Sequence, residues 1–401
     1  MPGTLIRVRR PPLQTRACPA SVRVVPEGMS WKAAEHMILA GASLSLTGRF
    51  ALQGRQVQRG LSLWETWVNE TGGLPVGSGG SRSRVSLRIY DDRSRIADAQ
   101  ANVLRLLTKD RLDLLFGPYS SVLTLAVAPI AEAHGKILWN HGGSSDEVFA
   151  RGWRLLVGGS APAGTYFSGL PSWLRREETG LERLTVLYSQ RGTFAGQVAR
   201  GLAEAAEREG FRQVALVPCD LSAIDPSTSL GERSDGAPQA IVLVGSYQDE
   251  VRVIRERRVL PSGVRRIAAV SAGLTAFGEA VGVHSEGVIG ASQWEPGRGG
   301  AVQTGPDEAW VLSRFHQAFS EEPEYPAVQA LALGVVAAEC VHRADGLRDE
   351  ALRQAAAGLD VTTCFGRFRI DRETGRQVGH QPVLVEWRGG RKRVVWQPAG
   401  R

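Results

Sequence analysis

Two pairs of adjacent serines, each in a turn directly before a helix, are the residues of this sequence best suited to bind a ligand. Ser120 and Ser121 follow Gly-Pro-Tyr and precede an apolar helical pattern, and Ser144 and Ser145 follow Asn-His-Gly-Gly. A helix start has unpaired backbone N–H groups and about half a positive charge, so a serine there either caps the helix or helps to hold an anion. Capping alone would explain either turn. Two such turns at neighbouring strand ends indicate a carboxylate held between them.

No catalytic or metal-binding pattern accompanies these serines. The sequence has no G-x-S-x-G elbow, no G-x-x-x-x-G-K-[ST] loop, no H-E-x-x-H and no G-x-G-x-x-G after the first strand. The seven histidines are dispersed, and the four cysteines lack zinc spacing. The pair Asp91 and Asp92 ends a strand and could bind a cation, although aspartates there usually cap the next helix. We therefore predict a protein that is not an enzyme, with no catalytic residue, no metal and no cofactor.

Composition sets the class of protein. The chain has 401 residues, 43% hydrophobic and 22% charged, as in a soluble globular protein of two lobes. Its net charge of +7 comes from arginines scattered singly, without a basic block interleaved with aromatic residues, which argues against nucleic acid as a partner. We find no stretch that approaches the eighteen or so apolar residues of a membrane span, so we predict that the chain is not transmembrane.

The elements that position the serines follow from the hydrophobic pattern. From residue 37, short apolar runs alternate with helical patterns, which predicts parallel strands with helices on both faces of the sheet. In the second of these helices, Ile96, Val103 and Leu107 are predicted to face inward. A second series of the same kind follows, so the predicted fold is α/β, with two doubly wound, Rossmann-like lobes. The segments 158–164 and 291–300 are the predicted crossings between the lobes.

The two ends of the chain differ from this pattern. Residues 1–36 are basic and contain proline, but no apolar region of a secretory signal follows, so we interpret them as a disordered or mis-assigned leader. The tail alternates apolar and polar residues around glycine-rich turns, which predicts β-hairpins.

Several motifs occur in the order and at the separations of one known family. The runs LSLTGRFALQGRQVQRGLSLWETWVNETGG, IYDDRS, FGPYSS, GSY and FGRFRIDRETGRQVGH resemble the type I periplasmic binding proteins of the leucine/isoleucine/valine-binding group, from residue 37 to about 398. These are the solute receptors of ABC importers. The resemblance implies two α/β lobes, joined by three hinge strands, that close on a small, amino-acid-like ligand. It also implies a first lobe of residues 37–158 plus 292–364 and a second lobe of residues 159–291 plus 365–401.

The resemblance implies seven ligand-binding residues. Ser121 matches the serine that holds the ligand carboxylate, and Gly142 and Ser144 match contacts from the next turn. The others match positions on the pocket wall: Gln53, where an aromatic residue is frequent, Tyr247 from the second lobe, and Thr193 or Phe194, between which the register is not fixed.

One departure from the family concerns the ligand ammonium group. Amino-acid binders of this group place an acidic residue after a second-lobe strand, whereas this chain has Ser271 or Ala272 there. An unpaired buried ammonium group is costly. Either Asp249 or Glu295 therefore substitutes for the missing acid, or the ligand is not a plain amino acid.

The predicted function is that of a non-catalytic solute receptor whose partners are a small carboxylate-bearing or amide-like molecule and an ABC permease. The alternative is a cytosolic sensor on the same fold, similar to amide-binding regulators, with a regulatory protein as its partner. The resemblance implies a periplasmic or extracytoplasmic location, while the absence of a visible signal peptide leaves the cytoplasm open.

Overall fold

The computed structural model describes residues 37–76, 81–223, 239–257 and 263–398. The prediction for the leader, residues 1–36, lies outside these residues. The strands are β1 (Ile38–Leu44), β2 (Leu74–Pro75), β3 (Arg82–Ser83), β4 (Val85–Asp91), β5 (Leu114–Phe116), β6 (Leu138–Asn140), β7 (Leu156–Gly158), β8 (Arg183–Ser189), β9 (Gln213–Cys219), β10 (Ala240–Val244), β11 (Arg266–Ala269), β12 (Val288–Ser292), β13 (Asp360–Thr363), β14 (Gly366–Arg369), β15 (Val383–Arg388) and β16 (Arg391–Trp396).

Helices separate most of these strands. They are α1 (Ala51–Glu70), α2 (Ile96–Arg105), α3 (Ser121–Ala133), α4 (Asp146–Ala150), α5 (Leu170–Glu177), α6 (Phe194–Arg208), α7 (Tyr247–Arg255), α8 (Thr275–Val281), α9 (Glu308–Phe319), α10 (Tyr325–Ala344) and α11 (Asp349–Ala357). Short helical turns occupy Leu106–Asp110, Ala163–Thr165, Val270–Gly273 and Gly282–Ser285.

The strands form two large sheets with the same internal order. The first is β4-β1-β5-β6-β7, with every neighbour parallel. The second is β16-β15-β12-β11-β10-β8-β9, parallel except where β15 pairs with β12 and with β16. In each sheet the second parallel strand along the chain lies on one side of the first, and the third lies on the other side, so the strand order reverses there. In sheets of this kind, ligands bind at the carboxyl ends of the strands beside the reversal. The predicted fold class is confirmed.

Each sheet has helices on both faces. On the first sheet, α1, α9, α10 and α11 cover one face and α2, α3 and α4 the other. On the second, α5 and α6 cover one face and α7 and α8 the other. We call the first sheet with these helices and with β13 and β14 the first lobe, and the second sheet with its helices the second lobe.

Strand β13 and strand β14 correct one predicted boundary. Phe365, Phe368 and Ile370 are buried in the apolar core of the first lobe, so the second-lobe segment does not begin at residue 365 as predicted. It begins at β15, because β13 and β14 pair only with each other and put their apolar side chains on the first lobe.

Three chain segments cross between the lobes, and they meet at Gln293. The first leaves β7, the second leaves β12, and the third enters β15. The amide N–H of Ala161 donates to Gln293 Oε1 over 3.1 Å, and His380 Nε2 lies 2.7 Å from the Gln293 carbonyl. The segments that leave β7 and β12 fall within the crossings predicted at 158–164 and 291–300.

Helix α10 contradicts the expectation that no segment is apolar enough to span a membrane. By length and composition it passes that test, but 78% of its most apolar window is buried within the protein. Its apolar side chains pack on α1 and the first sheet, so it is a core helix. No other described helix is long and apolar enough for a span.

Candidate functional site

A cavity of about 440 Å³ lies where the carboxyl ends of the two sheets face each other. Both lobes line it. All seven residues predicted for the ligand site are on its wall: Gln53, Ser121, Gly142 and Ser144 from the first lobe, and Thr193, Phe194 and Tyr247 from the second.

The two serines before α3 have different roles. Ser120 is the N-cap, and its hydroxyl accepts a hydrogen bond from the Leu123 amide at 3.4 Å. Ser121 begins the helix, is 8% exposed, and its Oγ accepts a hydrogen bond from the Ser145 amide at 3.0 Å. Because that bond uses the oxygen as an acceptor, the Ser121 O–H is left to donate. It does so beside the unpaired N–H groups of the helix start.

The turn after β6 brings backbone close to this helix start. Asn140 folds the turn, since its side chain accepts from the Gly143 amide at 2.7 Å and donates to the Gly143 carbonyl at 2.8 Å. A Cβ at Gly142 would lie 2.9 Å from Tyr119 Cδ2 and 3.0 Å from Tyr119 Cα, so only glycine lets the two turns meet. Ser144, 2% exposed, forms a hydrogen bond with the side chain of Tyr166.

The second lobe contributes a hydroxyl and two rings. Thr193 is the N-cap of α6, and its Oγ1 lies 2.7 Å from Ser145 Oγ across the cleft. The next ring, Phe194, packs edge-on against Tyr166 with 5.2 Å between centroids. Thr193 and Phe194, between which the sequence did not decide, therefore both line the cavity. Tyr247 faces it with its ring, because its hydroxyl donates to the Ala276 carbonyl at 2.7 Å.

Gln53 stands in the first turn of α1 with an unsatisfied amide oxygen. The residue is 9% exposed, and its Oε1 has no hydrogen-bond partner among the described residues. The preceding loop is held by the aspartate pair: Asp91 accepts from the Thr47 hydroxyl at 2.7 Å and Asp92 from the Ser45 hydroxyl at 2.5 Å. The two aspartates thus hold the loop by hydrogen bonds. The described part of the chain contains no group of three or more His, Cys, Asp or Glu side chains that could hold a metal ion.

Sequence reasoning missed most of the aromatic wall. Four further rings line the cavity: Phe50, Tyr119, Tyr166 and Tyr325. Burial raises the pKa of Tyr119, Tyr166 and Tyr325, so their hydroxyls stay neutral hydrogen-bonding groups. Tyr119 and Tyr325 meet at 3.4 Å between hydroxyl oxygens.

Glu250 is the acid that sequence reasoning missed. It is fully buried on the cavity wall. Its Oε1 accepts from the Gly245 amide at 2.7 Å, and its Oε2 accepts from the Ser271 amide at 2.7 Å and the Ser271 hydroxyl at 2.5 Å. Burial raises the pKa of Glu250 to about 7, although these hydrogen bonds oppose the rise.

Neither of the predicted substitutes for the missing acid lines the cavity. Asp249 is tied to the N-cap Ser246 at the start of α7: its amide donates to Ser246 Oγ at 3.2 Å, and its Oδ2 accepts from the Ser246 hydroxyl at 2.7 Å. Glu295 pairs with Lys392 at 2.6 Å. Both carboxylates are thus engaged with other side chains, and neither faces the cavity as the first of the two alternatives would require.

Comparisons with known proteins agree with this architecture. A family model described as periplasmic binding protein matches residues 38–392. Among solved structures, the chain is similar to a leucine binding protein from Thermotoga maritima (TM-score 0.75, 19% identity, 89% of this chain and 97% of that one). It is also similar to a branched-chain amino acid transporter substrate binding protein from Streptococcus pneumoniae in complex with isoleucine (TM-score 0.73, 18% identity, 90% and 100%).

A third similar structure holds an aromatic acid. It is a solute binding protein of an ABC transporter from Rhodopseudomonas palustris in complex with 3,4-dihydroxy benzoic acid (TM-score 0.72, 16% identity, 91% and 99%). At such identities the likeness is one of fold. Because the family model spans most of the sequence, the chain belongs to the periplasmic binding protein family, as its motifs predicted.

Proposed function

We propose that this protein is a non-catalytic solute receptor of an ABC importer, acting outside the cytoplasm, that captures a small carboxylate-bearing molecule between its lobes. The observation that carries the proposal is the Ser121 hydroxyl: it is buried on the cavity wall at the start of α3, with its oxygen occupied and its proton available. A carboxylate is the group that accepts from such a hydroxyl and from helix-start N–H groups together.

Contacts across the cleft support capture by hinge closure. Besides the bond between Ser145 and Thr193, the Asp146 amide donates to Gln197 Oε1 at 2.5 Å. On the far side of the cavity, Gln248 Nε2 donates to the Arg49 carbonyl at 3.4 Å. A ligand that contacts both lobes stabilises this closed arrangement, which is the form that a permease would recognise.

The ligands named for two of the similar structures share one chemical group. Isoleucine and 3,4-dihydroxy benzoic acid differ in their side groups and both carry a carboxylate. This common feature supports the carboxylate as the part of the solute held by the first lobe.

Paired serine variants test the carboxylate contact. After a thermal-shift screen of amino acids, short amides, keto acids and aromatic acids has found a ligand, its affinity is measured calorimetrically for Ser121→Ala with Ser144→Ala. Hydrogen bonds to charged groups contribute about 1.5–3 kcal/mol each, so we expect a loss of at least about tenfold. Ser285→Ala, a buried serine that donates to the Gly282 carbonyl far from the cavity, is the control. Unchanged affinity in the double variant contradicts the proposal.

The location of the protein and the uptake of its ligand by the cell distinguish an importer receptor from a cytosolic sensor. We expect the full chain, produced from its own gene with a C-terminal tag, in the extracytoplasmic fraction, and we expect deletion of the gene to abolish uptake of the radiolabelled ligand. A cytoplasmic chain whose deletion leaves uptake unchanged would support the sensor instead.

A further inference from the structure

We propose that the solute is an aromatic carboxylic acid that bears a hydroxyl group on its ring and has no ammonium group. This inference rests on the proposed function, because it names the ligand class of the same cavity. Three independent features carry it: the rings of the wall, the state of the charged groups, and the amide of Gln53.

Aromatic rings surround the cavity from both lobes. Phe50 and Tyr119 stand on the first lobe with 6.5 Å between ring centroids, and Phe194 and Tyr247 stand on the second. A flat ring held between two lobes meets aromatic faces and edges on both sides, which is more favourable than the same area of aliphatic wall. A benzene ring with a carboxylate also fits within about 440 Å³.

The charged groups of the wall favour an anion that carries no cation. The Glu250 carboxylate is occupied by three donors, and Glu147 forms an ion pair with Arg151. At the rim, Arg49 lies over the Phe50 ring and pairs with no carboxylate among the described residues. An ammonium group would thus enter without an anionic partner, which is costly in a buried site. A carboxylate would gain from the guanidinium.

Gln53 requires a hydrogen-bond donor from the ligand. Its Oε1 is buried and unpartnered, and the residue lines the cavity. A buried acceptor without a donor is unfavourable, and a hydroxyl on the ligand can both donate to the amide oxygen and accept from the amide nitrogen. Because Gln53 follows β1 while Ser121 follows the adjacent β5, one ring can place its carboxylate on α3 and its hydroxyl on α1.

A matched set of probes tests the three features on the wild-type chain by calorimetry. The set is 3-hydroxybenzoate, 4-hydroxybenzoate, benzoate, cyclohexanecarboxylate, leucine and phenylalanine. We expect one hydroxybenzoate to bind about tenfold more tightly than benzoate or more, since a site built to bind a hydroxyl discriminates against its absence. Benzoate should in turn bind more tightly than cyclohexanecarboxylate. Both amino acids should be the weakest.

Gln53→Leu then locates the hydroxyl contact. We expect this variant to remove the preference for hydroxybenzoate over benzoate while benzoate affinity changes little, with Gln58→Leu on the same helix as the matched control. Melting curves show that each variant is folded. Equal losses for both acids in Gln53→Leu would contradict the hydroxyl contact.

The outcomes separate this inference from the proposed function. Tight binding of leucine or phenylalanine with no binding of the aromatic acids overturns the inference and leaves a carboxylate receptor in place. If none of these acids binds and a short amide from the thermal-shift screen does, the carboxylate site of the proposed function fails as well.

Discussion

The carboxylate of Glu250 supports the cavity wall and leaves little capacity for a ligand. Its two oxygens tie the end of β10, through the Gly245 amide, to the Ser271 turn after β11. A buried carboxylate with backbone donors on both oxygens positions the two strand ends relative to each other. The cost of this support is that a charge is buried without a cation beside it.

Replacing Glu250 with glutamine should change the pH dependence of stability. Burial raises the pKa of Glu250 from 4.5 to about 7, so the folded protein binds this proton more tightly than the unfolded chain. The corresponding stability is present below about pH 4.5 and is lost as the pH rises through 7. Across that range, urea unfolding should show wild type losing up to about 3 kcal/mol more than Glu250→Gln.

The slope of stability against pH is the measured quantity, because the amide also changes two hydrogen bonds at every pH. Glu207→Gln, which removes an exposed carboxylate from α6, is the control for a lost charge. Parallel curves for wild type and Glu250→Gln would show that the buried acid keeps its ordinary pKa.

At the site, sequence reasoning succeeded where neighbouring turns carry the chemistry and failed where distant segments meet. Ser121 and Ser144 follow the adjacent strands β5 and β6, so their approach follows from strand order. Tyr325 begins α10, far along the chain from Tyr119, and no spacing in the sequence indicates that their hydroxyls lie 3.4 Å apart. Glu250 lies in the first turn of α7 and its partner Ser271 lies in the turn after β11, so no local spacing in the sequence indicates their contact.

Helices α1 and α10 pack closely against each other. A Cβ at Gly60 would lie 2.0 Å from the Ala327 carbonyl oxygen, and one at Gly334 would lie 2.5 Å from the Trp64 ring. These two glycines therefore let the helices approach, and the approach buries Leu61 and Trp64 completely.

Gly60→Ala should destabilise the protein although alanine is the better helix former. Intrinsic propensity favours alanine by about 1 kcal/mol, whereas forcing the helices apart costs about 1–3 kcal/mol or more. We expect a net loss in the free energy of unfolding, measured with urea. Gly358→Ala, at a helix end with only ordinary contacts beyond 3.5 Å, is the matched control. A stabilised Gly60→Ala variant would contradict the backbone contact.

The strands and helices were predicted correctly where the hydrophobic pattern of the sequence repeats regularly. The parallel strands from β1 to β11 match the apolar runs in the sequence. In α2, Val103 is buried as predicted, but Ile96 is 47% exposed and Leu106 takes the buried place predicted for Leu107. Residues three and four positions apart share one face of a helix, so Leu106 lies on the same buried side as Val103, and Leu107 is only partly buried. The strand β12 was missed because its short run VIGAS lies against a segment interpreted as a linker.

On the scale of the whole molecule, Lys392 links the lobes beside the cavity. Its Nζ donates to the Gly273 carbonyl at 3.0 Å and pairs with Glu295 at 2.6 Å, with Glu324 at 3.9 Å. Glu324, at the start of α10 in the first lobe, also accepts from the Ala276 amide of the second lobe at 3.1 Å. One cation thus offsets two carboxylates where the lobes meet.

Lys392→Met should weaken ligand binding without touching the cavity. It leaves Glu295 and Glu324 without a cation in the arrangement that brings the lobes together, so the closed form loses stability relative to an open one. We expect affinity to fall about tenfold, which corresponds to about 1.4 kcal/mol, with a larger radius of gyration in X-ray scattering at equal ligand concentration. The double variant Lys392→Met with Glu324→Gln should recover part of the loss. Unaltered affinity in Lys392→Met would count against closure at this contact.

The crossings at Gln293 also set the order in which the protein can be completed during synthesis. Helix α10, which covers Leu61 and Trp64 of α1, is translated only after the five parallel strands of the second lobe. A nascent chain that ends before α10 therefore exposes the apolar side of α1, and the second lobe in turn lacks β15 and β16 until the chain beyond β14 has been translated. Neither lobe is encoded by a continuous stretch, so the first lobe is completed only after the strands β8 to β12 of the second lobe have been translated, and the second lobe only after β14 of the first.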